Sequence, residues 1–173
     1  MREKDGFSLI ELVITIAIMG ILVGLSAYSL NYISQADARK MTGEINSAFS
    51  ELKTLNMSKN TTAYMHLYQY DGDFYIKYDG SASCTPDDTG HKIGKDNMKI
   101  QVDSTELGSG DVYSFTIRKK DGAFATVTDG GNTYVPPSKI AVTDDNGRKY
   151  SITVVKDTGR HLMDKRRKKG DKP

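Results

Sequence analysis

The chain has 173 residues, 24 basic against 22 acidic, and a formal net charge of +2, so no global electrostatic signature of a nucleic-acid binder is present. A single cysteine, Cys84, excludes an intrachain disulfide and any CxxC zinc or redox motif. The length allows one domain: once about 60 residues of leader and helix are set aside, roughly 110 remain for a small core.

The N-terminal run is the strongest pattern. After "MREKDG", in which Arg2 and Lys4 balance Glu3 and Asp5, comes "FSLIELVITIAIMGILVGLSAYSL". From Leu12 to Ala36 no Asp, Glu, Lys or Arg occurs, a stretch of 25 residues. As a helix this stretch reaches about 37 Å, enough for a hydrocarbon core of about 30 Å. One acid, Glu11, stands at its mouth. A lone carboxylate in such a helix costs on the order of 2.5–3.5 kcal/mol on insertion scales, so it needs a partner. An ordinary secretory signal would be cut after a small-residue pair such as Ala36 and Ala38, but those lie well downstream of the apolar run. A plain single-pass anchor is also open on length alone.

Gly6, Phe7 and Glu11 before a long apolar helix resemble the class III signal of type IV pilins and pseudopilins. The resemblance covers Gly6 to about Leu30. It implies that prepilin peptidase cuts between Gly6 and Phe7, that the new N-terminus of Phe7 is methylated, and that Glu11 becomes the fifth mature residue. It further implies assembly with other pilin subunits, driven by a separate ATPase and an inner-membrane platform protein. The Glu11 carboxylate would pair with the Phe7 ammonium of a neighbouring subunit. The implied location is the cytoplasmic membrane, single-pass with the N-terminus inside, and afterwards an extracellular or periplasmic filament. Three features depart from many family members: the leader is not basic, Tyr28 stands where major pilins commonly carry proline, and Cys84 has no partner for a C-terminal disulfide loop. The second and the basic tail lean towards a minor subunit, and the strand-then-"TGR" ending resembles minor pilins and H-type pseudopilins, some of which take up DNA.

The helix should continue past the apolar half. Ala38, Met41, Ile45, Ala48, Leu52 and Leu55 recur at alternating steps of 3 and 4, an apolar stripe along one helical face. Arg39, Lys40, Glu44, Asn46, Ser47, Glu51 and Lys53 form the opposite, solvated face. "NMSKNTT" then supplies helix-ending residues. Gly20 and Gly24 make a small-xxx-small step suited to close helix approach.

Beyond Thr61 the period changes to two. "TAYMHLYQY", a "DGD" turn and "FYIKY" read as a β-hairpin, with Tyr64, His66, Tyr68 and Tyr70 on one face and Met65 and Leu67 on the other. Asp79–Asn97 lacks periodicity and is expected to be an exposed loop. Further strands are expected at Lys99–Val102, Val112–Arg118, Phe124–Thr128, Ile140–Thr143 and Tyr150–Val155. "KKDGA", "TDGGN" and "TDDNG" are expected as turns between them. The fold class is therefore α+β: a long helix packed on an antiparallel meander. Its expected divisions are leader 1–6, helix 7–60 with its assembly half at 7–30, β-rich domain 61–160, and a disordered basic tail 161–173.

No catalytic, metal or cofactor constellation emerges. His66, His91 and His161 lack HxxxH or HExxH spacing. Asp71, Asp73, Asp87, Asp88, Asp144 and Asp145 fit turns better than a calcium loop, and no phosphate-binding loop follows a strand. From Lys156 onward the chain carries a net charge of +5, against −3 for the remainder, and Lys165, Arg166, Arg167, Lys168 and Lys169 are consecutive. That run reads as a solvated tail or as an anion contact for DNA phosphates, without aromatics to stack bases. The reading is a filament subunit and not an enzyme; the alternatives are a DNA-binding minor pilin of an uptake filament and a membrane-anchored extracellular binding domain.

Overall fold

The computed structural model describes residues 8–164, the side chains of 25–31 excepted. Among the described residues one helix, α1 (Leu9–Ser58), comes first. Twelve strands follow: β1 (Tyr64–Tyr70), β2 (Asp73–Asp79), β3 (His91–Gly94), β4 (Lys99–Val102), β5 (Thr105–Glu106), β6 (Val112–Ile117), β7 (Phe124–Ala125), β8 (Val127–Asp129), β9 (Asn132–Tyr134), β10 (Lys139–Thr143), β11 (Lys149–Val155) and β12 (Arg160–Met163). The chain is α+β, with the helix packed on antiparallel sheet.

The expected stripe is the face that packs. Ala38, Met41, Ile45, Ala48 and Leu52 are buried, joined by Phe49, while Arg39, Lys40, Ser47 and Glu51 stay exposed. Phe49 sits at the centre, edge-on to Phe115 at 5.1 Å between centroids and to Phe124 at 5.2 Å. Such edge contacts add to the area that the rings bury. The helix ends by handing its chain to β1 through Asn56. This buried amide donates to the Ala63 carbonyl (2.9 Å) and to Thr116 Oγ1 (3.3 Å), and accepts from the Ala63 N–H (2.6 Å).

The strands are not a simple meander. One sheet runs β3-β2-β1-β6-β7 and a second runs β12-β11-β10-β4-β5, with β8-β9 a separate hairpin. The non-local pairs are β1 with β6 (Met65 opposite Phe115) and β4 with β10 (Ile100 opposite Val142). The reason is the helix. Its stripe needs cover from both sides, so two sheets share it and the chain crosses between them.

Three further expectations are corrected. The Asp79–Asn97 loop contains β3, because Ile93 is apolar enough to join the core and Gly94 lies against Met41, where a Cβ would collide with the Met41 sulfur. The expected strand Phe124–Thr128 breaks into β7 and β8. "TDGGN" is the tip of the β8–β9 hairpin, with Gly130 at φ 50° and Gly131 at φ 114°. The tail does not begin at His161: β12 pairs with β11, Val154 opposite His161 and Ile152 opposite Met163. The two faces of β1 also differ from a half-solvated strand. Met65, His66, Leu67 and Tyr68 are all fully buried, since segment 80–90 folds over the outer face.

Candidate assembly site

The first half of α1 has the composition of a core helix and the exposure of a surface one. Leu9 is 82% exposed, Ile10 65%, Ile16 62% and Val23 71%. Apolar surface on that scale marks a contact with lipid or protein. The single threonine there is internally satisfied: Thr15 Oγ1 donates to the Leu12 carbonyl at 2.9 Å. Cβ atoms placed at Gly20 or Gly24 would meet nothing within 4 Å, so neither glycine is explained by packing inside the subunit.

Glu11 has a local partner that the apolar pattern does not advertise. Ser8 caps α1: its Oγ accepts from the Ile10 N–H (3.2 Å), while its own N–H donates to Glu11 Oε2 (3.1 Å). This is a capping box. Its Ser-x-x-Glu spacing was readable in "SLIE". The carboxylate also lies at the positive end of the helix dipole. Both effects reduce the cost of the charge without removing it, since a carboxylate can accept several further hydrogen bonds.

Of the other residues singled out by sequence, Gly6, Phe7, the leader and Lys165–Lys169 lie outside the described residues, as does the side chain of Tyr28. Among the described residues no helix is long and apolar enough to cross a membrane. The uncharged run Leu12–Ala36 includes 25–31, whose side chains are not among them.

The titratable groups of the β domain serve packing. His66 Nδ1 lies 2.8 Å from Ser114 Oγ and its Nε2 3.1 Å from the Ser81 carbonyl, with Asp79 at 3.6 Å. A carbonyl only accepts, so Nε2 carries the proton and Nδ1 accepts from the serine. Burial pushes the imidazole pKa down, partly offset by Asp79 and the Ser81 carbonyl. Ser114 is 2% exposed, which places its hydroxyl beyond reach of a solute. Asp87 accepts from Lys77 Nζ (2.7 Å) and from the Tyr68 hydroxyl (3.2 Å). Hydrogen bonds from Lys77 and then Thr89 hold its carboxyl well below the usual range, and burial raises the Tyr68 phenol. These bonds fasten segment 80–90 onto the sheet. Cys84, in that segment, is half-buried and free, and burial raises its thiol pKa. No group of three or more His, Cys, Asp or Glu among the described residues is arranged to hold a metal.

The chain thus presents an exposed apolar helix with one carboxylate at its mouth, carried on an antiparallel β domain. Residues 1–27 match the family of the prokaryotic N-terminal methylation motif. That match, confined to the first 27 residues, supports a type IV pilin-like protein of the kind that prepilin peptidase processes at a class III signal. No curated protein and no solved structure matches the chain.

Proposed function

We propose that the protein is a structural subunit of a type IV pilus or of a secretion-type pseudopilus. Prepilin peptidase cuts between Gly6 and Phe7, and the Phe7 amine is methylated. Before assembly the apolar half of α1 anchors the chain in the cytoplasmic membrane with the N-terminus inside. In the filament it leaves lipid for a bundle of equivalent helices. The observation that carries this reading is the run of exposed apolar side chains from Leu9 to Val23 behind a single carboxylate. Packing of those side chains supplies the cohesion.

Glu11 supplies the register. Two opposite charges in an apolar bundle are tolerable together and costly alone, so the axial stagger that brings Glu11 to a neighbour's Phe7 ammonium is selected. The Ser8 N–H stays in place after the cut, so the capping box keeps the carboxylate oriented while the ammonium approaches. Energy comes from a partner ATPase acting through a membrane platform protein.

The test is N-terminal mass spectrometry of the mature protein from sheared surface fractions, combined with Glu11→Ala. The expected result is a methylated Phe7 terminus, and a variant that is cut normally but absent from filaments. A retained leader, a cut near Ala38, or normal filament levels from Glu11→Ala would overturn the reading.

A further inference from the structure

The end of the domain where α1 terminates gathers cations from three distant segments. Lys53 and Lys59 come from the helix end, Lys119 and Lys120 from the β6–β7 turn, and Lys156 and Arg160 flank the β11–β12 turn. Backbone and side-chain contacts weld these segments together. Lys53 Nζ donates to the Thr158 carbonyl at 3.4 Å, and the Phe124 N–H donates to the Lys156 carbonyl at 2.9 Å. Lys119 Nζ donates to Asn60 Oδ1 at 3.0 Å, and a Cβ at Gly122 would lie 2.9 Å from Lys53 Cε. Lys53 is half-buried and the other five are exposed.

Little local acid offsets this charge. Asp121 is committed to Arg118 of the same turn at 2.9 Å, and Glu51 faces Tyr78. Asp157 is the remaining carboxylate on these segments. None of the six cations has a carboxylate within ion-pair distance among the described residues. The negative end of the helix dipole accounts for Lys53 and Lys59 at most, because its influence fades within the last turn. It does not account for Lys119, Lys120, Lys156 and Arg160.

The chemistry of the patch restricts its partner. Five of the six groups are lysine ammoniums, point charges on flexible stems with no fork to match a planar carboxylate. No exposed aromatic lies on these segments to stack a base. Such ammoniums recognise charge density along a polymer rather than the shape of a single anionic group, and the exposed Met57 and Leu162 beside them add apolar contact but no charge. Duplex nucleic acid carries one charge per about 1.7 Å, and neutralising it releases condensed counterions. We propose that this end of the domain binds the phosphodiester backbone of nucleic acid without reading its sequence. None of its six residues belongs to the Lys165–Lys169 run, and the proposal does not depend on the assembly reading.

The experiment uses the full chain in neutral detergent micelles and labelled duplexes of about 20 base pairs, followed by anisotropy across a salt series. One variant combines Lys119→Gln, Lys120→Gln and Lys156→Gln; a second replaces Lys165–Lys169 by Gln; circular-dichroism melting verifies that both fold. The wild type should bind duplexes of unrelated sequence equally. The first variant should bind at least tenfold more weakly, with a salt slope shallower by about 3, as expected for three lost phosphate contacts. Adding those three substitutions to the tail variant should produce the same tenfold loss. Wild-type affinity in the first variant, dependence on the tail alone, or tighter binding of polyglutamate or poly(glycerol phosphate) than of duplex would each overturn the proposal.

Discussion

Gly159 shows how narrowly single residues are constrained where segments converge. It sits at φ 62°, and a Cβ there would overlap the Gly122 carbonyl oxygen. The backbone at this contact cannot give way without displacing the β6–β7 turn. Gly159→Ala is expected to cost more than about 3 kcal/mol, combining backbone strain with overpacking. Chemical denaturation of the variant measures it; a loss below about 1 kcal/mol would contradict the packing. Gly130 and Gly131, at a hairpin tip with nothing within 4 Å, carry only the conformational requirement.

Histidine protonation also acts at this scale. Burial lowers the pKa of both His66 and His161 from the ordinary 6.5. The unfolded chain therefore binds protons at these sites before the folded chain does. The associated stability is fully present above pH about 6.5 and is lost as pH falls through that value towards the folded pKa values. The melting temperature should drop between pH 7.5 and 5.5, as thermal scans would record. His66→Gln should be less stable at pH 7.5, yet lose less on acidification. An equal loss in wild type and variant would remove His66 as a source of the effect.

Among the elements, α1 is two helices in energetic terms. Its second half is held by the sheets and its first half contributes nothing to their packing. Phe49→Ala removes a ring wedged between Phe115, Phe124 and His161 and should cost about 3–5 kcal/mol. Ile16→Ala, on a residue 62% exposed, should leave the melting of the β domain unchanged in detergent while weakening filament recovery. Far-UV circular dichroism during melting separates the two. A comparable loss of domain stability from Ile16→Ala would mean the halves are coupled. The β10–β11 hairpin marks the boundary: Arg148 Nη1 donates to Gln35 Oε1 at 2.9 Å and Ser34 donates to Asp145, so the domain grips α1 from about residue 34 onward.

Across the whole molecule, the two ends have opposite character. One end of α1 is apolar and carries Glu11; the other terminates in a lysine-rich surface built from three turns. On the proposed assembly reading, a subunit held through the first end would present the second outward. The loss of filament incorporation expected from Glu11→Ala and the tenfold loss of duplex binding expected from the lysine variant should therefore be separable. Each variant should keep the property that the other lacks.

What the sequence determined by itself rests on local rules. The apolar run, Glu11 and the helical stripe from Ala38 to Leu52 follow from periodicity and spacings of four residues or fewer. Most long strands were legible too, since alternation and Asp/Gly turns are properties of neighbours. Tertiary structure alone decided which strands pair, because β1 with β6 and β4 with β10 depend on covering one helix from two sides. It likewise decided that segment 80–90 lies over His66 and Tyr68, that His161 belongs to a strand, and that Lys53, Lys119 and Lys156 share a surface. In the sequence those lysines are separated by 66 and 37 positions, and only the closure of the sheets around α1 brings their charges together.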